Sequence, residues 1–375
     1  MKALILAGGF GTRLRPLSCT RPKMLFPVAN TPLLDWTLKE LAKNNVKETI
    51  LAVNYMADPF IERYGGKAYG MKIFYSRDLD PARETLPPLQ RFVGTGGAVR
   101  RAEKLIGRKR SFLVLNGDIL TNMNYTALME KHEASGASAT IALRAVEDPS
   151  RYGVVEQTGD GRIARFVEKP TREEAPSNLI NAGVYALNPW ILDQIPDERP
   201  VSIEHEIFPK LAEEGSLYGF KFQGYWTDIG DPHDYLEANQ LLLDMEIQKE
   251  KLGRNAVLES EAELVAPCII GENVTMRSRS KIGPHATIGK DVIVGKGVLV
   301  ENSIIFPRSI ISDSAYVKGA IIGQASWIGK GVRIEPGCLV GDHAVILNNV
   351  TLTRGVSVCP FKKVRESVLT PKCLM

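Results

Sequence analysis

The sequence is poor in cysteine and histidine, carries no excess of one charge and has no long hydrophobic run. Five cysteines and five histidines are spread over 375 residues, and no two cysteines form a CxxC pair. Neither a disulfide framework nor a zinc site is expected, and a reducing, cytoplasmic environment is the simplest interpretation. Lysine and arginine number 47 against 43 acidic residues, a surplus too small to predict a nucleic-acid-binding surface.

No apolar segment approaches the roughly 18 residues of a membrane span, so no membrane association is expected. The apolar run at residues 3–7 is too short for the core of a secretion signal and predicts a first strand. Apolar residues make up 44% and charged residues 24%, as in ordinary globular proteins. At roughly 150 residues per domain, the length predicts two or three domains.

Short apolar runs alternate with helical patterns from residue 1 to about 235. Leu34, Leu38 and Leu41 share one face of a predicted helix. Strands are predicted in KALILAGG, ETILAVN, MKIFYS, SFLVLNGD and SATIALRAV. This alternation predicts an α/β domain, with a mostly parallel sheet covered on both faces. Later pieces predict a hairpin whose turn is the GDG at 159–161.

A stretch rich in Leu, Glu and Lys follows. Residues 236–262 are expected to form a connecting helix, which ends at Gly253, and a linker. From 263 to 375 the apolar period becomes six. Two series of apolar residues carry it: Ile270, Met276, Ile282, Ile288, Val294, Val300, Phe306, and Ile322, Ile328, Ile334, Val340, Ile346, Leu352, Val358.

Six residues turn a helix by about 600°, so a helix cannot keep these residues on one face, whereas strands of period two can. Hexapeptide repeats predict a parallel β-helix, with ordinary antiparallel strands as the alternative. The two series are out of phase, which predicts an irregular turn or loop at 307–321.

A glycine-rich turn follows the first predicted strand and contains Gly8, Gly9 and Gly11. Such a turn lets backbone N–H groups approach a phosphate, and we expect a helix N-terminus after it. Arg13 and Arg15 add positive charge. The turn fits neither a Walker loop nor a dinucleotide fingerprint, so it predicts a triphosphate loop of another kind, or only a packed tight turn.

Further candidates lie at the ends of predicted elements. Lys23 stands between prolines and is a positioned charge or a solvated loop lysine. The loop at 94–98 precedes a predicted helix and can contact a base, or only begin that helix. Asp118 ends the most apolar strand, and Asp228 is a second carboxylate of this kind. Together they could share Mg²⁺, although a lone strand-end Asp is usually a helix cap or surface residue.

Hydrogen-bonding groups for a sugar phosphate come from two later motifs. Glu168 and Asn181 can bind sugar hydroxyls, and Lys169 can hold a phosphate, although each alone is more often a surface residue.

Taken together, the motifs LAGGFGTRLRPL, RPKMLFPV, VGTGGA, NGD, YGVVE, FVEKP, NAGVY and WTDIG resemble, in this order, those of the sugar-nucleotide pyrophosphorylases. These are nucleotidyltransferases that act on sugar 1-phosphates. The resemblance covers the whole chain, because many members carry a left-handed β-helix after the catalytic domain. It implies a Rossmann-like mixed-sheet nucleotidyltransferase domain at 1–235 and a left-handed parallel β-helix at 263–375.

The resemblance also implies roles at matching positions. Arg13 and Lys23 would neutralise phosphates, and Asp118 and Asp228 would bind Mg²⁺. The nucleotide would be bound by Leu6, Gly8, Gly9, Gly11, Thr12, Gln90, Gly94 and Thr95. The sugar phosphate would be bound by Gly153, Glu168, Lys169 and Asn181.

The implied reaction joins a nucleoside triphosphate to a sugar 1-phosphate and releases pyrophosphate. Longer stretches, among them VEDPSRYGVV and VSIEHEIFPKLAEEG, resemble those of family members that use GTP and mannose 1-phosphate. The alternatives are UTP or dTTP with glucose 1-phosphate, and UTP with N-acetylglucosamine 1-phosphate. The β-helix is expected to serve homo-oligomer assembly; acyl transfer near His285 or His343 is the alternative, and a non-enzymatic homologue is disfavoured because the phosphate loop is intact.

Overall fold

The computed structural model describes residues 1–53, 56–77, 93–197 and 199–374, and it divides into two compact units. The first, here called the α/β unit, comprises Met1–Phe10 and Leu34–Thr227. The second, here called the β-helix unit, comprises Gly11–Leu33 and Asp228–Met375. Gly11–Leu33, the N-terminal segment, therefore groups with the C-terminal part of the chain. The domain boundaries near 235 and 262 stay predictions.

The α/β unit is built on a ten-stranded mixed sheet. Lys2–Leu6 lies between two parallel neighbours, Glu48–Val53 and Phe112–Asn116. The main path of the sheet is Ile163–Glu168, Gly153–Gln157, Leu179–Leu187, Phe112–Asn116, Lys2–Leu6, Glu48–Val53, Met71–Arg77 and Lys67–Ala68. Ala139–Ala145 pairs with Leu179–Leu187 and with Leu217–Lys221. Two short strands, Ile119–Thr121 and Trp226–Asp228, lie outside this sheet.

The expectation of a mostly parallel sheet holds only in part. The four strands from Phe112–Asn116 to Met71–Arg77 pair in parallel, as do Ala139–Ala145 and Leu217–Lys221, whereas Leu179–Leu187 pairs antiparallel with each of its neighbours. The predicted hairpin is confirmed: Gly153–Gln157 pairs antiparallel with Ile163–Glu168. Helices of the described chain in this part are Leu33–Lys43, Asp58–Tyr64, Gly94–Arg101, Glu103–Ile106, Tyr125–Ser135 and Phe208–Glu213, with helical turns at Pro189–Gln194 and Ile203–Ile207. The predicted apolar face of the first helix is buried.

The β-helix unit stacks short parallel strands into three sheets. The first sheet contains Glu250–Leu252, Cys268–Ile270, Ala286–Ile288, Ile304–Ile305, Ile321–Ile322, Leu339–Val340, Ser357–Val358 and Cys373–Leu374. The second contains Val257–Leu258, Thr275–Met276, Ile293–Val294, Ile310–Ile311, Trp327–Ile328, Val345–Ile346 and Lys363–Val364. The third contains Glu263–Leu264, Lys281–Ile282, Leu299–Glu301, Tyr316–Lys318, Arg333–Ile334 and Thr351–Leu352.

The predicted parallel β-helix is confirmed, and all fourteen apolar positions of the repeat are buried. The loop expected at 307–321 is wrong, since Ile310–Ile311 and Tyr316–Lys318 are regular strands there. The phase shift comes instead from shorter coils. Ala286 pairs with Cys268, eighteen residues earlier, whereas Ile304 pairs with Thr287, seventeen residues earlier. Ile305 therefore takes the core position that the pattern gave to Phe306.

Before the β-helix, the chain forms the helix Pro232–Leu242 and a wider helical turn at Leu243–Ile247. Gln248 then adopts a left-handed conformation with φ +58°, and Glu250–Leu252 is already a strand of the first sheet. The expected helix stop at Gly253 is therefore wrong, because strand pairing with Cys268–Ile270 begins before that residue.

The N-terminal segment contains no α-helix before Leu33. It forms three single helical turns, Thr12–Leu14, Leu17–Cys19 and Lys23–Leu25, and the short antiparallel strands Pro27–Val28 and Thr31–Pro32. All five cysteines are free thiols. Within the described ranges, no helix is both long and apolar enough to cross a membrane.

Candidate functional site

In the α/β unit, the glycine turn leaves the carboxyl end of the central parallel strand. Gly117 N–H donates to Leu6 O at 3.1 Å, which ties this turn to the end of the neighbouring strand. A Cβ at Gly9 would meet nothing within 4 Å, so the exposed backbone there faces open space. Glycine at this position therefore leaves the backbone accessible to a ligand.

The turn continues into the β-helix unit at Gly11, whose left-handed backbone has φ +57°. A Cβ on Gly11 would lie 3.2 Å from Ser18 Cβ and 3.5 Å from Lys23 Cβ. Ser18 Oγ donates to Gly11 O at 2.7 Å. Glycine is required here by its φ and by this close packing against the residues around Lys23.

The helix N-terminus expected after the glycines is wrong, because only the turn Thr12–Leu14 follows Gly11. Pro16 and Pro22 lack the backbone N–H groups that a continuous helix needs, so the segment stays in single turns. Fixed positive charge must therefore come from side chains. Lys23 begins the turn Lys23–Leu25 and is half-buried.

Arg13 is exposed and lies beside Gly230 within the β-helix unit. A Cβ at Gly230 would be 3.1 Å from Arg13 Nη1 and 2.9 Å from Asp234 Oδ2. Asp231 and Asp234 form a capping box at the start of Pro232–Leu242. Any side chain at Gly230 would displace either the guanidinium or this cap, so the glycine keeps both in place.

The second glycine loop is not a lead-in to a helix but its first turn, since Gly94–Arg101 is helical throughout. Gly94 has φ +77°, and a Cβ there would lie 2.2 Å from Val201 O. Gly96 N–H donates to the same oxygen at 2.9 Å. Glycine is thus needed for close contact with a distant stretch of the unit. Gln90, the other nucleoside-binding candidate of this region, lies outside the described residues.

Thr95 belongs to a partly buried polar cluster, defined here as Thr95, Asn116, Asn181, Tyr185 and Glu204. Thr95 Oγ1 donates to Glu204 Oε2 at 2.6 Å, and Tyr185 OH lies 3.4 Å from Glu204 Oε1. Asn181 Nδ2 donates to Tyr185 OH at 3.1 Å, and Asn116 Nδ2 lies 3.4 Å from it. The cluster links the predicted nucleoside-binding helix to a predicted sugar-binding strand.

Burial raises the pKa of Tyr185 well above its ordinary value, and the carboxylate of Glu204 raises it further. The phenol is therefore neutral at physiological pH. Asn116 Oδ1 is buried and accepts no hydrogen bond from the residues that the structure describes. An unsatisfied buried acceptor costs about 1–3 kcal/mol, which a ligand donor would offset.

Glu168 provides a second buried acceptor at the end of its strand. Its Oε2 has no hydrogen-bond partner in the described part of the chain, and a Cβ at Gly153 would lie 2.6 Å from that oxygen. Glycine at 153 therefore makes room for the carboxylate. Burial is the main cause that raises the pKa of Glu168, repulsion by Glu204 adds to it, and Lys169 opposes it.

Lys169 is exposed, and its Nζ lies 3.7 Å from Glu168 Oε1. Its φ of +49° lies in the left-handed region, which costs a non-glycine residue about 1–2 kcal/mol. Its N–H donates to Tyr152 O at 3.0 Å and holds this conformation. Strained residues of this kind cluster at functional sites, so the ammonium is a candidate phosphate ligand.

The two predicted metal-binding carboxylates lie at strand ends. Asp118 follows Phe112–Asn116 and Asp228 ends Trp226–Asp228; both are half-buried. Among the described residues no group of three or more His, Cys, Asp or Glu could hold a metal. Mg²⁺ takes one or two carboxylates together with substrate phosphates, and the magnesium site stays a prediction.

Three members of the polar cluster escaped the sequence analysis as site residues: Asn116, Tyr185 and Glu204. Asn116 lies in the NGD motif, in which only the aspartate was predicted to bind a ligand. Glu204 lies in the turn Ile203–Ile207. Its contact with Thr95 joins residues 109 positions apart. No local pattern reports such a contact.

Parallel strands ending in a glycine turn, a polar side chain and a carboxylate are typical of α/β proteins that bind phosphate-bearing ligands. The nucleotidyl transferase family model matches residues 2–245, and the model of the GMPPB C-terminal domain matches residues 264–374. The chain therefore belongs to the nucleotidyl transferase family, as the motifs predicted.

Curated relatives match over the whole chain. The mannose-1-phosphate guanyltransferase of Yarrowia lipolytica is 40% identical over 386 residues, with 100% of both chains covered. The mannose-1-phosphate guanylyltransferase catalytic subunit beta of Danio rerio is 38% identical, also with 100% of both chains covered. A solved UDP-glucose pyrophosphorylase complexed with UDP-glucose is 23% identical, with a TM-score of 0.55, and covers 65% of this chain and 98% of its own. That structure supports the fold alone.

Proposed function

We propose that this protein transfers a guanylyl group from GTP to mannose 1-phosphate, forming GDP-mannose and releasing pyrophosphate. The observation that carries the proposal is the full-length similarity, at 38–40% identity, to the two relatives named for this activity. It spans both units, so the proposal does not rest on a shared catalytic fold alone.

The reaction is an in-line displacement at the α-phosphorus of the nucleotide. An oxygen of the sugar phosphate forms the new P–O bond, the bond between the α-phosphorus and the bridging oxygen breaks, and pyrophosphate carries away the electron pair. Because the attacking oxygen is already ionised at neutral pH, no strong general base is required. Positioning and charge neutralisation are then the protein's main contributions.

The N-terminal segment supplies the cations in this proposal. Arg13 interacts with the α- and β-phosphates, and Lys23 neutralises charge on both substrates. Backbone N–H groups of the glycine turn add donors without a steric cost. The nucleotide contacts are assigned to Leu6, Gly8, Gly9, Gly11, Thr12, Gln90, Gly94 and Thr95.

The sugar phosphate is assigned to the α/β unit. Glu168 Oε2, which is buried without a described partner, accepts a hydrogen bond from a sugar hydroxyl. Lys169 holds the phosphate, and Gly153 keeps the space for the Glu168 carboxylate. Asn181 Oδ1 already accepts the N–H of Gly183 at 2.9 Å, so Asn181 acts on the sugar through the polar cluster.

Asp118 and Asp228 are the proposed ligands of Mg²⁺. When bound, the ion supplies positive charge next to the polyphosphate.

A substrate panel tests the proposed function. Purified protein is incubated with each of GTP, ATP, UTP and dTTP against mannose 1-phosphate, glucose 1-phosphate and N-acetylglucosamine 1-phosphate, and products are separated by chromatography. The highest kcat/KM is expected for GTP with mannose 1-phosphate. A preference for UTP or dTTP with another sugar would overturn the assignment. Acetyl-CoA should not be consumed with amino sugar phosphates.

We also propose that the β-helix unit mediates homo-oligomer assembly. Ile293, Ile310 and Trp327 form an outward apolar row along the second sheet, and Ile293 and Ile310 are each 38% exposed. A row of large apolar side chains that faces outward is typical of an interface. Light scattering should show an oligomer that Ile310→Glu reduces to a smaller species. A wild-type monomer at micromolar concentration would refute this.

The free thiols are consistent with a reducing compartment, and we propose a cytoplasmic location. Fractionation of cells that express the protein should recover it with cytoplasmic markers.

A further inference from the structure

The β-helix surface holds the part of the N-terminal segment that carries Lys23. Arg21 Nη2 lies 2.6 Å from Asp342 Oδ2, and Thr20 Oγ1 donates to the same oxygen at 2.7 Å. Arg21 Nη2 also donates to Gln324 Oε1 at 3.0 Å. The side chain of Asp342 is only 3% exposed and that of Arg21 only 18%. The ion pair is thus sheltered from water and from screening by salt.

Aromatic contacts extend the same attachment. The guanidinium of Arg21 lies over the ring of Phe306, 4.9 Å from its centroid. Phe26 packs edge-on against Phe306 with ring centroids 5.9 Å apart. Phe306 stands where neighbouring coils have glycines, such as Gly289 and Gly323, so its ring projects outward instead of filling the core. Phe306 and Asp342 therefore contact Arg21 and Phe26, on both sides of Lys23.

The contacts at the corner that contains Asp342 show which of them requires a carboxylate. Asp342 Oδ1 accepts the N–H of Gln324 at 2.7 Å, a contact that belongs to the coil itself. The same contact is made one step along by an amide, since Asn348 Oδ1 accepts the N–H of Lys330 at 2.9 Å. A carboxylate is not needed to close this corner. The other carboxylate oxygen of Asp342, Oδ2, contacts Thr20 and Arg21.

We propose that Asp342 and Arg21 are positioning residues, through which the β-helix fixes the N-terminal segment so that Lys23 and Arg13 meet the phosphates in a productive geometry. The inference rests on the proposed function for its catalytic consequence. Neither residue is assigned a contact with substrate. The β-helix then contributes to turnover directly, in addition to any part it has in assembly.

The variant that isolates the charge is Asp342→Asn. Its amide oxygen can keep the Gln324 contact, as Asn348 shows, but its NH₂ group then faces the donors of Thr20 and Arg21. Arg21→Met removes the same ion pair from the other side and leaves the β-helix corner intact, so it carries the test if Asp342→Asn does not fold. Asp313→Asn is the matched control, because Asp313 Oδ1 accepts the N–H of Lys296 at 3.0 Å in an equivalent corner.

Two readouts are taken on the full-length protein. Hydrogen–deuterium exchange of peptides from residues 11–33 needs no substrate, and steady-state kinetics are measured well below each melting temperature. We expect residues 11–33 to exchange faster than in the wild-type protein for Asp342→Asn and Arg21→Met. For Asp313→Asn we expect the exchange rate of the wild-type protein. We expect kcat to fall about 10- to 100-fold in both test variants, because misplaced charges lose that much.

The double variant Asp342→Asn with Arg21→Met should be no slower than either single variant, since both remove one interaction. Unchanged exchange in 11–33, a wild-type kcat in a folded variant, or losses that multiply in the double variant would overturn the inference. If the wild-type protein shows no nucleotidyl transfer while the exchange result holds, the proposed function fails and the attachment stands. An active wild-type protein without the exchange effect removes only the inference.

Discussion

The corners of the β-helix pair their polar side chains within the stack, whereas the α/β unit keeps buried acceptors open. Asp313 and Asn348 each accept a backbone N–H from the preceding coil. By contrast, Glu168 Oε2 and Asn116 Oδ1 are buried and accept no hydrogen bond from the described residues. Repeated apolar layers stabilise the coils of the β-helix, whereas the groups that we propose bind substrate lie outside those coils, in the α/β unit and in the N-terminal segment. The predictions below test this division.

The largest expected effect is on the stability of the β-helix. Ile328 is fully buried between Ile311 and Ile346 in adjacent coils. Ile328→Ala should lower the free energy of unfolding by about 2–5 kcal/mol, because it removes buried methyl groups and leaves a cavity. Denaturant unfolding measures this loss. The kcat of the folded variant should stay at the wild-type value, and a catalytic loss without a stability loss would contradict the division.

Arg13→Ala should give the opposite pattern. Its guanidinium is exposed, so little stability is lost, but removal of one fixed charge next to the phosphates should lower kcat by roughly 10²–10³-fold. Arg333→Ala is the control, because Arg333 is a β-helix cation that lies over Tyr316. Steady-state assays should show wild-type turnover for Arg333→Ala. Full activity in Arg13→Ala would remove Arg13 from the mechanism.

Glu168→Gln should lose sugar binding. The charge-assisted hydrogen bond to a sugar hydroxyl is replaced by a weaker one, and kcat/KM for the sugar phosphate should fall about 10- to 100-fold. Glu156→Gln, at an exposed position of the hairpin, is the control.

The raised pKa of Glu168 means that ionisation destabilises the ligand-free fold as pH rises from about 4.3 through the folded-state pKa. Glu168→Gln should lack this fall in the free energy of unfolding with pH. If the variant still shows the fall, burial of Glu168 is not its cause.

The smallest effect at neutral pH concerns the acid sensitivity of the α/β unit. Burial lowers the pKa of His132 to about 4, and its Nδ1 lies 3.0 Å from Thr140 Oγ1. The unfolded chain takes up this proton near pH 6.5, so stability is complete above that pH and is lost as pH falls toward 4. The slope should reach about 1.4 kcal/mol per pH unit. Unfolding experiments on His132→Gln should show a flatter profile; an unchanged slope would assign the effect to other groups.

Repetition made the β-helix predictable from sequence. Ile270 and Ile288 are eighteen residues apart, as are Ile322 and Val340 in the second series, and each is buried where the period placed it. The prediction of a loop was wrong because the shift in phase is spread over two coils of seventeen residues each. The spacing of apolar residues shows that two residues are missing, but not where in the coils they are missing.

The α/β unit was predictable at its strands and glycines but not in its contacts. The first strand and the Gly9 turn follow from local patterns, whereas the Thr95–Glu204 contact joins residues far apart in the chain. Nothing in the sequence indicated that Gly11–Leu33 groups with the β-helix. The ion pair of Arg21 with Asp342 is one of several contacts that join this segment to the β-helix unit, and it links two residues that no periodicity relates.

Isotopic labelling tests the central claim of nucleotidyl transfer most directly. Protein is incubated with mannose 1-phosphate and GTP labelled either at the α- or at the γ-phosphorus, and the products are separated. The account predicts that the α-label appears in GDP-mannose and the γ-label in pyrophosphate, in equal amounts. An α-label that remains in GDP, with the γ-label in inorganic phosphate or on the sugar, would contradict it.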